Sequence, residues 1–180
     1  MEEQRDEDAV LMMAVKGGDD RAFETLVEKH QPPLMNFFHR LGVNMSDAED
    51  LAQQTFIKLY RNRKTYKPSA KFTTWLYLLA RQTRVDEIRI RAKQEKVRVA
   101  LKRENEALEA MPRQTPEFGL RDDLQRALAR LDEAHRDVVV LGLVQELPYQ
   151  EVGEILGIPV GTVKSRMFNA LKLLRGYLEA

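Results

Sequence analysis

Side chains suited to holding a polyanion gather in two places along the chain. In the first, Thr162, Lys164, Ser165 and Arg166 bring hydroxyl, ammonium and guanidinium donors together at the start of an apolar-periodic stretch. Such donors on a rigid helix end suit the major groove of DNA. Their carrier is the segment 147–175, LPYQEVGEILGIPVGTVKSRMFNALKLLR, which reads as a compact helix, a short turn and a second helix. The first helix begins near Pro148 or Tyr149, because a proline at an initial helical position forfeits no intrahelical bond. Val152, Ile155 and Leu156 form its apolar stripe. Gly153 keeps one face small enough for a close helix crossing, and Gly157 can end the helix in a left-handed conformation that other residues resist. The chain then turns through Ile158 and Pro159. In the second helix Val163, Met167, Ala170, Leu171 and Leu174 recur at helical spacing and face a core, which leaves the four donors at the exposed start.

The second place is TYKPSAKFTTWLYLLARQTRVDEIRIRAK, residues 65–93. Lys67–Lys71 is a turn-rich bridge, and Phe72–Arg91 forms a long or slightly interrupted helix. Tyr77, Arg81, Arg84 and Arg91 recur near one helical face, with Arg89 beside them, so cations can hold phosphates while an aromatic or polar rim meets exposed bases. Trp75 serves either as core or as a stacking surface, core being the commoner use. Asp86 reads as an ion-pair or hydrogen-bond partner and not as a general base, because neither metal ligands nor a second acid group with it.

Whole-chain charge sharpens this reading. The net charge of +1 conceals −6 over residues 1–60, +11 over 61–103 and −4 over 104–180. Basic charge is concentrated where a polyanion could be held, although an ordinary solvated surface or another acidic partner would also account for it. Cysteine is absent, which removes disulfides and thiolate chemistry. His30, His39 and His135 are scattered, so no metal and no cofactor are expected. The acidic start MEEQRDEDAV lacks the basic-then-apolar order of a secretory signal, and no apolar run approaches the roughly 20 residues of a membrane span. A cytoplasmic location is the resulting expectation.

The 180 residues suffice for one domain or for two small helical ones of about 60 to 90 residues each. In the first half, Asp8–Lys16 and Asp20–His30 read as helices parted by Gly17–Gly18. Pro32–Pro33 then separates a further helix, Leu34–Leu41, with Phe37 and Phe38 as core groups. SDAEDLAQQTFIKLYRN gives a better-defined helix, capped by Ser46 with Glu49 three residues on. Ala48, Leu51, Ala52, Phe56 and Leu59 mark its buried face. Asp50, Gln53, Gln54 and Lys58 fall opposite, as a docking surface or merely a solvated one. Val97–Gly119 reads as a linker with room for a short helix in its first half, interrupted by Pro112, Pro116 and Gly119. Beyond it, Leu120, Leu124, Ala127, Leu128 and Leu131 and a helix near Glu133–Val144 supply the core that the helix pair lacks. Val138–Leu141 and Leu143–Val144 are expected to pack deeply. The predicted fold class is all-α, with two small helical domains, 8–96 and 120–177, joined by a flexible linker at 97–119.

DAEDLAQQTFIKLY, FTTWLYLLARQTRVDEIRIR and LPYQEVGEILGIPVGTVKSRMFNALKLLR, in this order, resemble the bacterial sigma-70 family, specifically its small extracytoplasmic-function (ECF) group, which has regions 2 and 4 and no region 3. The resemblance spans about residues 8–177. It implies that region 2 docks through the Asp47–Tyr60 helix on the clamp helices of core RNA polymerase, with Asp50, Gln53, Gln54 and Lys58 at the interface. It implies a loop of Tyr66, Lys67, Pro68, Ser69, Ala70 and Lys71 that receives an extruded non-template base of the promoter's minus-10 element. Tyr77, Arg81 and Arg84 would brace the opened strand. Unstacking costs about a few kcal/mol per base, so a preformed surface must recover much of it. Region 4 would read the minus-35 element through Thr162, Lys164, Ser165 and Arg166. Arg166 is the base-contact candidate, since a guanidinium can address both major-groove acceptors of guanine, and Lys164 is assigned to phosphate. Asn169 stands where related proteins commonly carry a basic residue, which puts one phosphate contact in doubt.

The implied function is that of an RNA polymerase sigma factor, directing promoter-specific initiation and stabilising promoter opening with core RNA polymerase and promoter DNA as partners. Polymerase would perform the nucleotidyl transfer, so the chain itself is expected not to be an enzyme, and no convergent nucleophile and base are visible in it. A conventional helix-turn-helix transcriptional regulator is the alternative. The linker and tail leave room for an anti-sigma factor without naming one.

Overall fold

Every regular element among the described residues, 6–102 and 119–179 of the computed structural model, is helical. In chain order these are α1 (Glu7–Lys16), α2 (Asp20–Arg40), α3 (Met45–Arg61), α4 (Phe72–Lys102), α5 (Gly119–Arg130), α6 (Glu133–Val139), α7 (Tyr149–Leu156) and α8 (Val160–Leu178). A 3-10 turn at Arg63–Thr65 leads towards α4, and a wider turn at Val140–Val144 prolongs α6. No helix among the described residues is long and apolar enough to cross a membrane.

Helices α1 to α4 enclose one core. Met12 and Val15, Leu26 and Phe38, Leu51 and Leu59, and Leu76 and Ala80 are its buried groups, two from each helix in turn. Asp6 ties the start of this bundle together. Its Oδ1 accepts from the backbone N–H of Asp8 (3.2 Å) and Ala9 (3.3 Å), and its Oδ2 accepts from the N–H of Phe72 (2.8 Å). One carboxylate therefore satisfies orphan donors at the N-termini of both α1 and α4. It also sits at the positive end of both helix dipoles. Nearby, buried Asp8 pairs with Lys29 Nζ (2.7 Å) and His30 Nε2 (2.9 Å). Burial pushes the His30 imidazole below its ordinary range, outweighing the upward pull of Asp8.

Two sequence expectations give way in this half. Pro32 and Pro33 do not separate two helices but lie inside α2. Two prolines withdraw the N–H groups that would reach the carbonyls of Glu28 and Lys29, yet their fixed φ is itself helical. Leu26, His30, Leu34 and Phe37 continue one buried stripe across the break, and that burial holds the helix together. Ser46 does not cap α3. The helix begins earlier, with the Asn44 side chain accepting from the N–H of Asp47 at 2.9 Å. Half-buried Val43 packs on the core and fixes the chain at that entry, and Asn caps as well as Ser does.

Helix α4 also runs on, through Lys102, past the predicted end at Arg91 and into the segment read as the start of a linker. Its charges favour continuation: Arg91 Nε lies 2.6 Å from Glu87 and Arg98 pairs with Glu95 at 2.9 Å, both at helical spacing. The remainder of the predicted linker, 103–118, lies outside the described residues.

Helices α5, α6 and α7 pack on α8 around Leu128, Leu131, Val138, Leu141, Val152 and Ile155. The stretch predicted as one helix to Val144 loosens at its end. Gln145 N–H reaches back five residues to Val140 at 3.0 Å, and the turn closes through Glu146 at φ 55°. Leu143 is consequently exposed and Val144 only half-buried, not deeply packed as expected.

The double cap has a measurable consequence. Asp6→Ala is expected to lower the unfolding free energy by about 1–2 kcal/mol, read from urea unfolding, with Asp6→Asn recovering part of the loss because one acceptor oxygen survives. Unchanged stability in the alanine variant would contradict the role assigned to Asp6.

Candidate nucleic-acid interface

The helix pair α7–α8 owes its geometry to two glycines. At Gly157 the backbone turns left-handed, φ 67°, and the N–H of Ile158 bonds back to the Gly153 carbonyl at 3.0 Å, which closes the helix end. A Cβ placed on Gly153 would lie 2.8 Å from the Ile158 carbonyl oxygen and 3.7 Å from Val160 Cγ2 and Val163 Cγ2. Only hydrogen at that position lets α8 start so close to α7. The Pro159 carbonyl accepts from the N–H groups of Thr162 (2.9 Å) and Val163 (3.1 Å), opening α8.

Burial then sorts the faces of α8. Val163, Met167, Ala170 and Leu174 are buried. Leu171, predicted to join them, is 44% exposed, because one residue beyond Ala170 turns about 100° away from the core stripe. Lys164 and Ser165 are exposed, and Thr162 and Arg166 are half-buried. Ser165 Oγ donates to the Thr162 carbonyl at 3.1 Å. Phe168 and Asn169 also face solvent, one turn further along. The four predicted donors thus share the exposed first turns of a helix anchored from beneath.

The second predicted set is divided. Lys67, Pro68, Ser69, Ala70 and Lys71 are exposed, whereas Tyr66 lies beneath them, 1% exposed. Its ring packs on Trp75 with centroids 5.0 Å apart, and its carbonyl accepts from Lys16 Nζ at 2.8 Å. Burial, helped by Asp6 and Asp8, pushes its phenol up to about 12. Tyr66 is a floor for the loop and not part of its surface. Trp75 is half-buried against it.

Tyr77 is 4% exposed. Its ring meets Phe37 at 5.1 Å and its hydroxyl donates to Gln145 Oε1 at 2.5 Å; burial raises its pKa. Arg81 is half-buried. Arg84 Nη1 lies 3.1 Å from Glu133 Oε1 and 3.7 Å from Asp137 Oδ1. Burial raises the Asp137 carboxyl, with Arg84 opposing. Lys71 Nζ sits 2.8 Å from Glu151 Oε1, whose carboxylate holds that ammonium above its usual range, and Thr74 Oγ1 donates to Glu151 Oε2 at 2.9 Å. Arg91 pairs with Asp47 at 3.0 Å besides Glu87. Most cations assigned to one α4 face therefore already have carboxylate partners.

On α3 the predicted face is open to solvent at three of its four residues. Asp50, Gln53 and Gln54 are exposed, while Lys58 reaches Asp86 Oδ2 at 2.8 Å and draws that carboxyl below its usual range. Asp86 is thus an ion-pair partner, as its isolation in the sequence suggested. Sequence reading missed Thr74, Glu133, Asp137, Gln145 and Glu151. Each makes its contact across the two halves of the chain, and no periodicity within a helix reports such a contact. Only the opposite charges of 61–103 and 104–180 hinted that these segments attract.

A helix-turn-helix with polar and basic donors on its outer face, in one chain with a second helical bundle carrying a cationic, aromatic-rich helix, defines a two-module DNA-binding protein. The Sigma-70 region 2 family matches residues 26–94, and the Sigma-70, region 4 family matches residues 127–176. The ECF RNA polymerase sigma factor SigW of Bacillus subtilis is 33% identical over 178 residues, covering 92% of this chain and 93% of its own. Among solved structures, CnrH in complex with the cytosolic domain of CnrY superposes with a TM-score of 0.72 at 24% identity, over 96% of this chain and 97% of that one. The sigma factor RpoE in complex with the anti-sigma factor NepR from Bartonella quintana gives 0.70 at 24% identity, over 88% and 97%. The chain belongs to the sigma-70 family, within its ECF group of RNA polymerase sigma factors.

The close crossing yields a paired test of the helix-turn-helix. Gly153→Ala is expected to destabilise the protein by about 1–3 kcal/mol through overpacking, measured by thermal unfolding. Gly161→Ala, with nothing within 4 Å of its added Cβ, is expected to be neutral or mildly stabilising. Equal effects at both positions would contradict the close approach of α7 and α8.

Proposed function

We propose that this sigma factor binds core RNA polymerase through the α3 face of Asp50, Gln53, Gln54 and Lys58, and directs the assembly to a two-part promoter. Residues 8–96 act as region 2 and 120–177 as region 4. Region 4 reads the minus-35 element, with Arg166 on a guanine edge, Lys164 on phosphate and Thr162 and Ser165 beside them. In region 2 the loop 66–71 receives an unstacked minus-10 base, with Tyr66 as its buried floor, and Tyr77, Arg81 and Arg84 flank the opened strand once they are uncovered. The chain carries no reaction itself; polymerase performs nucleotidyl transfer. Its working place is the cytoplasm, on the nucleoid when polymerase-bound.

The observation that carries this reading is the arrangement of α8. Thr162, Lys164, Ser165 and Arg166 occupy its outer start while Val163 and Met167 fix it to the domain core, so the helix that carries them is held rigid from beneath. An anti-sigma partner is a further part of the proposal. It is supported by the fold shared with CnrH and with the Bartonella RpoE, each solved with a bound partner.

Transcription with purified core polymerase on a promoter library is expected to give selective start sites only when this chain is added. Selective duplex binding by the chain without core, together with no effect on start-site choice, would reverse the assignment. Within that assay Arg166→Ala should weaken use of the preferred minus-35 sequence by about 1–3 kcal/mol, roughly 5- to 150-fold. Losses of equal size on every minus-35 variant would move Arg166 from base reading to backbone binding.

A further inference from the structure

We propose that this chain reads its minus-35 element further along α8 than the four donors named above, with the Asn169 amide on an adenine edge and the Phe168 ring against the methyl group of a thymine in an adjoining pair. The inference rests on the minus-35 role given to region 4, and it deepens that role by naming two residues and the base each selects.

Helical geometry places both residues. Val163, Met167, Ala170 and Leu174 are the buried stripe of α8, and at about 100° per residue the line opposite them passes through Gly161, Ser165 and Lys172, with Phe168 and Asn169 on either side of it. All five are exposed. Arg166, by contrast, stands closer to the core stripe and is half-buried. The outermost part of α8 therefore continues past its first turns. Ser165 to Asn169 is about 6 Å along the axis at about 1.5 Å per residue, and base pairs stack about 3.4 Å apart. That distance adds roughly two pairs to the stretch that α8 reads.

The two side chains suit base edges and not phosphates. Among the described residues no hydrogen bond engages the side-chain amide of Asn169, and no ring packs on Phe168, which is 72% exposed. An uncharged amide offers a donor and an acceptor side by side, the complement of adenine N7 and N6, whereas a phosphate calls for donors alone. A ring set on the thymine methyl removes apolar surface from water. The DNA backbone has its own partners nearby. Asn169 lines a groove with Lys172 and Arg130, both exposed, and the Arg130 guanidinium is held 4.0 Å over the Tyr177 ring. With these cations on the groove wall to take phosphate, Asn169 is left for the bases.

The test uses the full chain assembled with core RNA polymerase on promoters randomised through the minus-35 element, with the initiated transcripts sequenced. The parent chain should select adenine at one position and thymine at an adjoining one. Asn169→Ala is expected to reduce the adenine preference by about 5- to 150-fold while other positions keep theirs, and Asn169→Arg to move that position towards guanine. Phe168→Ala is expected to reduce the thymine preference about fourfold, as for one methyl group returned to water. Lys172→Ala should instead lower the use of every sequence alike. Both reading residues lie on the surface, so the variants should keep the circular dichroism and melting temperature of the parent. A sequence profile that survives both alanine changes, or losses spread evenly over all sequences, overturns the base contacts and leaves the minus-35 role of region 4 standing. A parent chain without minus-35 selectivity overturns that role, and this inference with it.

Discussion

The first half of α4 has more neighbours than one helix face can satisfy, and this constraint shapes the rest of the molecule. Phe72, Leu76, Leu79 and Ala80 are committed to the core of the N-terminal bundle. Thr74, Tyr77 and Arg84, on the remaining surface, meet the C-terminal half in the arrangement described. The bundle fixes where those polar groups stand, because Asp6 pins the first turn of α4 to the first turn of α1.

The two kinds of contact differ in strength. Burial within each half is mainly apolar, the Leu, Phe, Val and Ile side chains contributing roughly 1.5–3 kcal/mol apiece, and it continues where α4 meets α7. Between the halves the named contacts are hydrogen bonds and ion pairs, each contributing about 0.5–1.5 kcal/mol net, or up to about 3 where a charged group takes part. Each module is thus expected to survive intact while the contact between them is remade, the usual condition for domains that move against one another. A factor that must reach two separated promoter elements needs that hierarchy. Rigid reading heads are useful only if the distance between them can change.

The helix-turn-helix was legible in the residues to the level of individual glycines. Gly157 adopts the left-handed turn and Gly153 the close approach that their positions implied. Helix identities were legible elsewhere too, because each carries an apolar stripe. The failures have separate causes. Pro32–Pro33 reads locally as a break, and only the tertiary burial of residues on both sides keeps α2 whole. Asn44 and Ser46 are near-equal caps, so packing of Val43 decided between them. Tyr66 and Tyr77 look like surface aromatics beside basic residues, yet both are buried, since a periodic pattern gives the direction of a side chain and not what covers it. Glu151 is the clearest case. It stands on the otherwise well-read α7, and nothing local to it announces Lys71 and Thr74 as partners some eighty residues earlier.

The central claim is that one α4 surface is closed by the C-terminal half in the free chain and vacated on the transcription machine. Because the chain has no cysteine, spin labels can be placed cleanly at Glu24→Cys on α2 and Lys172→Cys on α8, both exposed. Pulsed electron–electron resonance should then give one short, narrow distance distribution for the free protein and a longer one once core RNA polymerase is added. A broad distribution in the free protein, or the same short distance on the polymerase, would contradict the account.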